Sequence, residues 1–349
     1  MTRDHNPDPA LSAVAPTDPS ARVDRYLATH GLSARQPRVV SLTGDASDRR
    51  YYRIHLDDGT SIVLAVHVGA IDIETLPFAI VQRLFAAMPV RVPRILGADN
   101  GLGIVALEDL GDVTLQAYLA DATPRTKQAC YEEAVDVITT IQRRGRELAD
   151  TSLLPYQLAF DVEKLGFELR FFRTHFVEGH RGYALPAELS TALDEECAAV
   201  IGALASEPRV LCHRDYHSRN LMVQHGRLCV IDFQDARLGP DTYDLVSLLR
   251  DAYVDLTETE VDALIARFRR TRPDTGESAA QFRERFDLMT VQRTLKALGT
   301  FGFQASARGN PTYLQYVPRS LATLRATFNA NARFDRLRRA LASAVPELA

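Results

Sequence analysis

Paired cysteines are missing from this sequence. Its four thiols, Cys130, Cys197, Cys212 and Cys229, stand far apart with no C-x-x-C spacing, which excludes a disulfide framework or a zinc knuckle and fits small buried hydrophobes in a reducing cytosol. Long apolar runs are missing too: none approaches the ~20 residues a membrane helix needs. A basic stripe with interleaved aromatics is absent, and 41 Lys+Arg against 45 Asp+Glu give a net charge of −4. Neither nucleic acid nor an anionic membrane is therefore expected as a partner. The start carries Asp4, Asn6, Asp8 and three prolines by Pro16, unlike a secretory signal. The expectation is a soluble cytoplasmic protein, taken as a monomer.

What is present is an ordinary globular composition, 46% hydrophobic and 25% charged over 349 residues. Residues 1–20 are rich in Pro, Asp and small side chains and read as a disordered tail. A short helix is expected from Arg22 to His30, stopped by Gly31. Strand patterns follow: Val39–Thr43, then Tyr51–Leu56 running into the hairpin signal Asp57-Asp58-Gly59, then the β-branched run Ser61–Val68. Helical spacing covers Thr75 to Ala87, and two more strands fit Arg94–Gly97 and Leu102–Glu108. Beyond Gly111 the period becomes helical, over Arg125–Leu148, Val162–Phe176, Ala187–Ala205 and several segments after Asp241. The fold class is α+β: a small antiparallel β lobe over 21–111, then a larger, mostly helical lobe over 112–349, with a hinge near 108–114.

The segment that carries chemistry runs from Val210 to Tyr243. It reads H-R-D-x-x-x-x-N over His213 to Asn220, then a short hairpin turning at His225-Gly226, then an apolar strand delivering Asp232. Phosphoryl transfer accounts for this spacing. An acceptor hydroxyl loses its proton as it attacks, which calls for a carboxylate within reach, and Asp215 is the candidate base. ATP brings Mg2+, a hard cation that takes oxygen ligands; the Asn220 amide and the Asp232 carboxylate suit it. Four residues between Asp215 and Asn220 let both face one site, and the hairpin returns Asp232 beside them.

This constellation resembles the aminoglycoside phosphotransferase and choline kinase superfamily, relatives of the protein kinases. D-F-Q-D at Asp232–Asp235, in place of D-F-G, is similar to its small-molecule branch. So is G-P-D-T-Y-D-L-V-S-L-L at Gly239–Leu249. No A-P-E segment follows, unlike a protein kinase. The resemblance implies a bilobal protein-kinase-like fold, with ATP and Mg2+ as cofactors and a small molecule as acceptor. It also implies structural roles for His213 and for Asp244, which would steady the catalytic loop.

For the nucleotide, the resemblance points to Gly44-Asp45-Ala46-Ser47 as the phosphate-covering turn. It points to Val105–Gly111, with Glu108 and Leu110, as the hinge against adenine. The superfamily's third-strand lysine is missing: no lysine precedes Lys127, and Ile62–Val68 offers only Ala65 or His67 at that place. An arginine can hold two phosphate oxygens, so Arg49, Arg50 and Arg53 are candidates; equally, they are solvated strand residues.

One branch is closer still. G-D-A-S followed by Arg49–Arg53, the segment Val291–Phe301 and the segment Tyr313–Arg319 resemble the N-acetylmuramate/N-acetylglucosamine kinases of cell-wall recycling, which act on an anomeric hydroxyl. Candidate acceptor contacts are Tyr216, His217, Arg219, Asp235, Gln292 and Arg293, with Arg219 or Arg293 suited to a lactyl carboxylate. Another acceptor on the same fold, an aminoglycoside or a choline-like alcohol, stays open. So does a nucleotide-binding regulator without turnover.

Overall fold

A computed structural model describes residues 18–42, 49–272 and 276–349. The turn Gly44-Asp45-Ala46-Ser47 and residues 1–17 of the expected tail lie outside these. The chain forms two compact units, residues 1–80 with 93–110, and residues 81–92 with 111–349.

In the first unit, helix α1 (Pro19–Thr29) starts three residues before the expected Arg22. Asp18 explains this: its carboxylate accepts from the Ala21 amide at 3.0 Å, and Pro19 occupies the first turn, where its missing N–H is harmless. Five strands follow, β1 (Arg38–Leu42), β2 (Arg50–His55), β3 (Ser61–Val66), β4 (Ile95–Asp99) and β5 (Ile104–Glu108). They form one antiparallel sheet in the order β1-β2-β3-β5-β4. Strand alternation gives the sheet two faces. Leu64 and Val66 pack with Ile54, Ile104 and the α1 residues Val23, Tyr26 and Leu27, while Ala65, Val105 and Leu107 meet Ile71, Ile73 and Phe78 on the other face. Helix α2 (Pro77–Ala86) crosses the point where the chain passes from one unit to the other.

The second unit is helical around two small hairpins. Helices α3 (Leu115–Leu119), α4 (Pro124–Glu147), α5 (Leu154–Gln157), α6 (Val162–Phe172) and α7 (Ala187–Ala205) precede them. The long α6 expected from the sequence ends at Phe172, and Arg173–His180 continues as a π-helix. Strand β6 (Arg209–Cys212) then pairs with β9 (Arg237–Pro240), and between them β7 (Leu221–Gln224) pairs with β8 (Arg227–Val230). The β7–β8 turn is His225-Gly226, with φ of +51° and +72°. Two left-handed residues match the twist of a two-residue hairpin. Helices α8 (Tyr243–Leu249), α9 (Glu258–Thr271), α10 (Ala279–Ser306), α11 (Val317–Ala330) and α12 (Asp335–Ala342) complete the unit.

The 28-residue α10 packs against α6 and the π-helical segment at very short range. A Cβ on Gly299 would stand 2.7 Å from the Phe172 Cα. Glycine is needed there because the obstacle is backbone, which has no rotamer to yield.

Candidate active site

The sequence between β6 and β9 folds as two nested hairpins, and that nesting assembles the site. β6 delivers His213, Arg214 and Asp215; β7 starts directly after Asn220; β8 runs into Asp232. The Ile231 amide donates to the Asn220 carbonyl at 3.0 Å, which sets the two chain segments side by side. Asn220 is the hub. Its Nδ2 donates to the Asp215 carbonyl at 2.9 Å and faces the Asp232 Oδ2 at 3.4 Å. Anchoring the amide nitrogen in this way turns the amide oxygen over to a ligand. Gln234 steadies the other oxygen of Asp232 at 2.8 Å.

Two residues of the loop have left-handed backbones, Arg214 at φ +90° and Asp232 at φ +61°. Such conformations persist in non-glycine residues only where the surroundings enforce them, and they cluster at working sites. Here the enforcement is visible. The buried Asp244 carboxylate, at the start of α8, accepts from the His213 amide at 2.6 Å and the Arg214 amide at 3.0 Å. The His213 ring, fully buried, reaches the Ile231 carbonyl at 2.9 Å through Nε2, and its Nδ1 accepts from the Asp215 amide at 3.3 Å. Thus His213 and Asp244 brace the loop from below, and neither is exposed to a substrate.

Three cations surround Asp215. Lys296 Nζ donates to its Oδ1 at 2.9 Å, Arg293 lies 3.6 Å away and Arg214 3.7 Å away. Burial alone would raise the Asp215 pKa, but Lys296, Arg214 and Arg293 together hold it well below the usual carboxylate range. The side chain keeps 27% of its surface exposed, so an ionised carboxylate is presented where a small molecule can reach it. Burial, with Arg293 beside it, lowers the Lys296 pKa against the pull of Asp215. Burial likewise brings the His217 ring down to about 3, so it is neutral at pH 7.

Lys296 is the residue that sequence reasoning missed. It is one of only three lysines in the chain and sits one turn from Arg293 on α10, which places both on one helix face. Arg293 donates to the Tyr243 hydroxyl at 2.9 Å and lies over that ring at 4.7 Å. Asp235 pairs instead with Arg214 at 2.5 Å and with Arg237 at 3.5 Å. Two expected acceptor contacts are core residues. Tyr216 is fully buried and donates to the Ala134 carbonyl, and Gln292 is buried against Glu168 at 2.8 Å. Aromatic and amide side chains in a catalytic loop and a long helix carry no sign of which way they face, and here both turn inward.

In the first unit, Arg53 is bound by Asp109, Nε to Oδ2 at 2.7 Å, and Ser61 donates to the same carboxylate. Glu108 pairs with Arg94 at 3.1 Å, Leu110 is buried, and Arg49 stands 6.0 Å over the Tyr51 ring. His67, at the place of the missing lysine, has its pKa brought down to about 4 by burial and then by Arg49 and Arg22. At neutral pH it carries no charge and cannot stand in for a lysine.

Residues 38–282 match the model described as the phosphotransferase enzyme family. This chain belongs to that family. Relatives of this phosphotransferase are similar over most of their length. The N-acetylmuramate/N-acetylglucosamine kinase of Neisseria meningitidis serogroup B is 35% identical over 286 residues, 80% of this chain and 83% of that protein. The kinase of the same description from Pseudomonas aeruginosa is 34% identical over 285 residues, 80% of this chain and 81% of that one. Among solved structures, the ADP-bound aminoglycoside phosphotransferase APH(2'')-Ib aligns with a TM-score of 0.56 at 14% identity, over 87% of this chain and 99% of that one. Choline kinase LicA from Streptococcus pneumoniae aligns with a TM-score of 0.58 at 13% identity, over 87% and 99%. At such identities these two share the fold, and the phosphotransferase fold expected from the sequence is the one the chain adopts. Among the described residues, no helix is long and apolar enough to cross a membrane.

Proposed function

We propose that this phosphotransferase moves the γ-phosphoryl group of ATP, with Mg2+, to the anomeric hydroxyl of N-acetylmuramate or N-acetylglucosamine, giving a sugar 1-phosphate. The observation that carries the reading is the Asp215–Asn220–Asp232 set, held by paired hydrogen bonds in a chain about one-third identical to kinases described for those two sugars.

The donor set fits the metal. Among the described residues, no cluster of three His, Cys, Asp or Glu would hold an ion unaided. One carboxylate and one amide oxygen, completed by phosphates and water, is the manner in which Mg2+ is usually held beside a nucleotide. Magnesium, when bound, would neutralise charge on the triphosphate. The chain's own residues do the rest. Asp215 takes the hydroxyl proton as the sugar oxygen bonds to phosphorus and the bond to the ADP oxygen breaks. Lys296 and Arg293 keep Asp215 ionised and fix its orientation, and Asn220 ties the base to the metal ligands. Most of the acceleration comes from alignment and charge placement. The nucleotide roles of Gly44, Asp45, Ala46, Ser47, Arg49, Arg53, Glu108 and Leu110 belong to the same proposal and rest on resemblance.

Phosphorus NMR of the protein with MgATP and each sugar tests this. A sugar 1-phosphate resonance is expected, lost in Asp215→Asn while nucleotide binding persists. ADP formation with neither sugar, but with another alcohol, would overturn the acceptor and keep the kinase.

A further inference from the structure

The cluster around Asp215 is short of negative charge. Four cations, Arg214, Arg237, Arg293 and Lys296, meet two carboxylates, Asp215 and Asp235, and none of the four side chains is more than 20% exposed. Surplus charge held away from water is costly. Arg219, the remaining arginine of the loop, stands over the Tyr253 and Tyr313 rings at 4.9 and 5.8 Å.

A third carboxylate serves this cluster from α6. Glu168 has 4% of its side chain exposed, and its Oε2 accepts from the Gln292 Nε2 at 2.8 Å. Among the described residues its Oε1 accepts no hydrogen bond, and Lys164, one turn back and partly exposed, comes only to 3.8 Å. A buried carboxylate so lightly bonded needs compensation from further off. Gln292 and Lys296 are four residues apart on α10 with Arg293 between them, so one face of the helix carries the tie to Glu168 and both cations. Lys296 is faced by Asp215, Arg214 and the neutral His217 ring from the loop, by Arg293 on its own helix, and by Glu168 from α6; Tyr243 of α8 takes Arg293. Burial and then Arg293 lower the Lys296 pKa, and the charges of Asp215 and Glu168 oppose them. Against the cost of burial, Glu168 likewise favours the charged forms of Arg293, Arg214 and Arg237.

Resting on the reading of Asp215 as the base, we infer that Glu168 is a positioning residue for the reaction: through Gln292 it fixes the face of α10 that carries Arg293 and Lys296, and its charge holds those two cations at Asp215. The two roles separate chemically. Glutamine at 168 still accepts from Gln292 through its amide oxygen and loses the charge. Methionine at 292 breaks the tie and leaves the charge.

Competitive acetylation read by mass spectrometry titrates the chain's three lysines in the folded protein without substrate, and pH profiles of kcat give a second readout. In Glu168→Gln, Lys296 is expected to become reactive at lower pH than in wild type, while Lys127, paired with Glu260 at 2.9 Å, stays as it was. The alkaline limb of kcat should move the same way, so that kcat relative to wild type falls at least about ten-fold between pH 7 and pH 9.5. Glu168→Asp returns the charge and should bring both curves back toward wild type. In Gln292→Met the limb should stay in place while kcat falls on the order of ten-fold at every pH. Melting temperatures identify the variants that are folded. An unmoved Lys296 curve in folded Glu168→Gln, or an unchanged kcat in Gln292→Met, overturns the inference. The labelling needs no turnover, so wild type that phosphorylates neither sugar overturns the proposed function and leaves the pairing of Glu168 with Lys296 to be decided by its own curve.

Discussion

Replacing Lys296 by methionine removes the nearest cation from Asp215, the proposed base. At an effective dielectric of 20, a unit charge 2.9 Å from the Asp215 carboxylate contributes about 6 kcal/mol, against about 4.5 kcal/mol each for Arg293 at 3.6 Å and Arg214 at 3.7 Å. Lys296 thus supplies about two-fifths of the cationic field. The raw Coulomb figures are ceilings, and single ion partners move carboxylates by about 1–3 pK units. We therefore expect the Asp215 pKa to rise in Lys296→Met. The sign follows from the direction of the native shift. Asp215 is held low, so the wild-type acid limb of the kcat/KM profile lies far below neutrality. Removing Lys296 moves that limb toward higher pH, while Lys296→Arg keeps it low. The assay is a coupled ADP-release profile between pH 4.5 and 8, with kcat and KM resolved. At pH 7.5, where Asp215 is ionised in either form, kcat should still fall roughly 10- to 100-fold because the carboxylate loses its orienting donor. An unmoved acid limb together with an unchanged kcat refutes the role assigned to Lys296.

Asp232→Asn keeps the size of the side chain and removes a charge from the proposed metal pair; the Mg2+ concentration for half-maximal activity should rise at least about ten-fold, as read from a magnesium titration. Gly299→Ala sets a Cβ 2.7 Å from the Phe172 Cα, and should lower stability by about 1–3 kcal/mol in a denaturant titration and reduce kcat as well. Glu207, buried beside Arg285 at 2.9 Å, has its pKa raised to about 7 by burial, with Asp241 and Glu277 adding to it and Arg285 opposing. A carboxyl raised in the folded state stabilises below its unfolded pKa, and that stability is lost as pH climbs toward 7. Melting temperature should therefore decline between pH 5 and pH 8, and Glu207→Gln should flatten the decline by the equivalent of up to about 3 kcal/mol.

Much of the catalytic loop was legible because its geometry is local. A four-residue spacer and a two-residue turn leave few ways to place Asp215, Asn220 and Asp232 other than together, and His225-Gly226 announced the turn by residue type. The sheet of the first unit was legible for a similar reason, since the hairpin signal Asp57-Asp58-Gly59 joins Tyr51–Leu56 to the β-branched run Ser61–Val68. The partners of those groups were not. Lys296 is 81 residues from Asp215, and its role depends on how α10 is rotated, which periodicity does not fix. Nothing in the strand of Arg53 shows that Asp109, 56 residues on, would bind its guanidinium. The π-helix after Phe172 left no trace either, because the hydrophobic pattern of Val162–Phe176 continues smoothly through the change of winding.

The close seat of α10 on that π-helical turn makes Arg293 and Lys296 behave as teeth on a single cam. The seat sets the rotation of the shaft, and the rotation decides which carboxylate the teeth engage. One residue inserted between Lys296 and Gly299 would swing the cations by about 100° and disengage them from Asp215 while every local hydrogen bond of the loop stayed intact. This stretch of α10 can therefore take substitutions but not insertions.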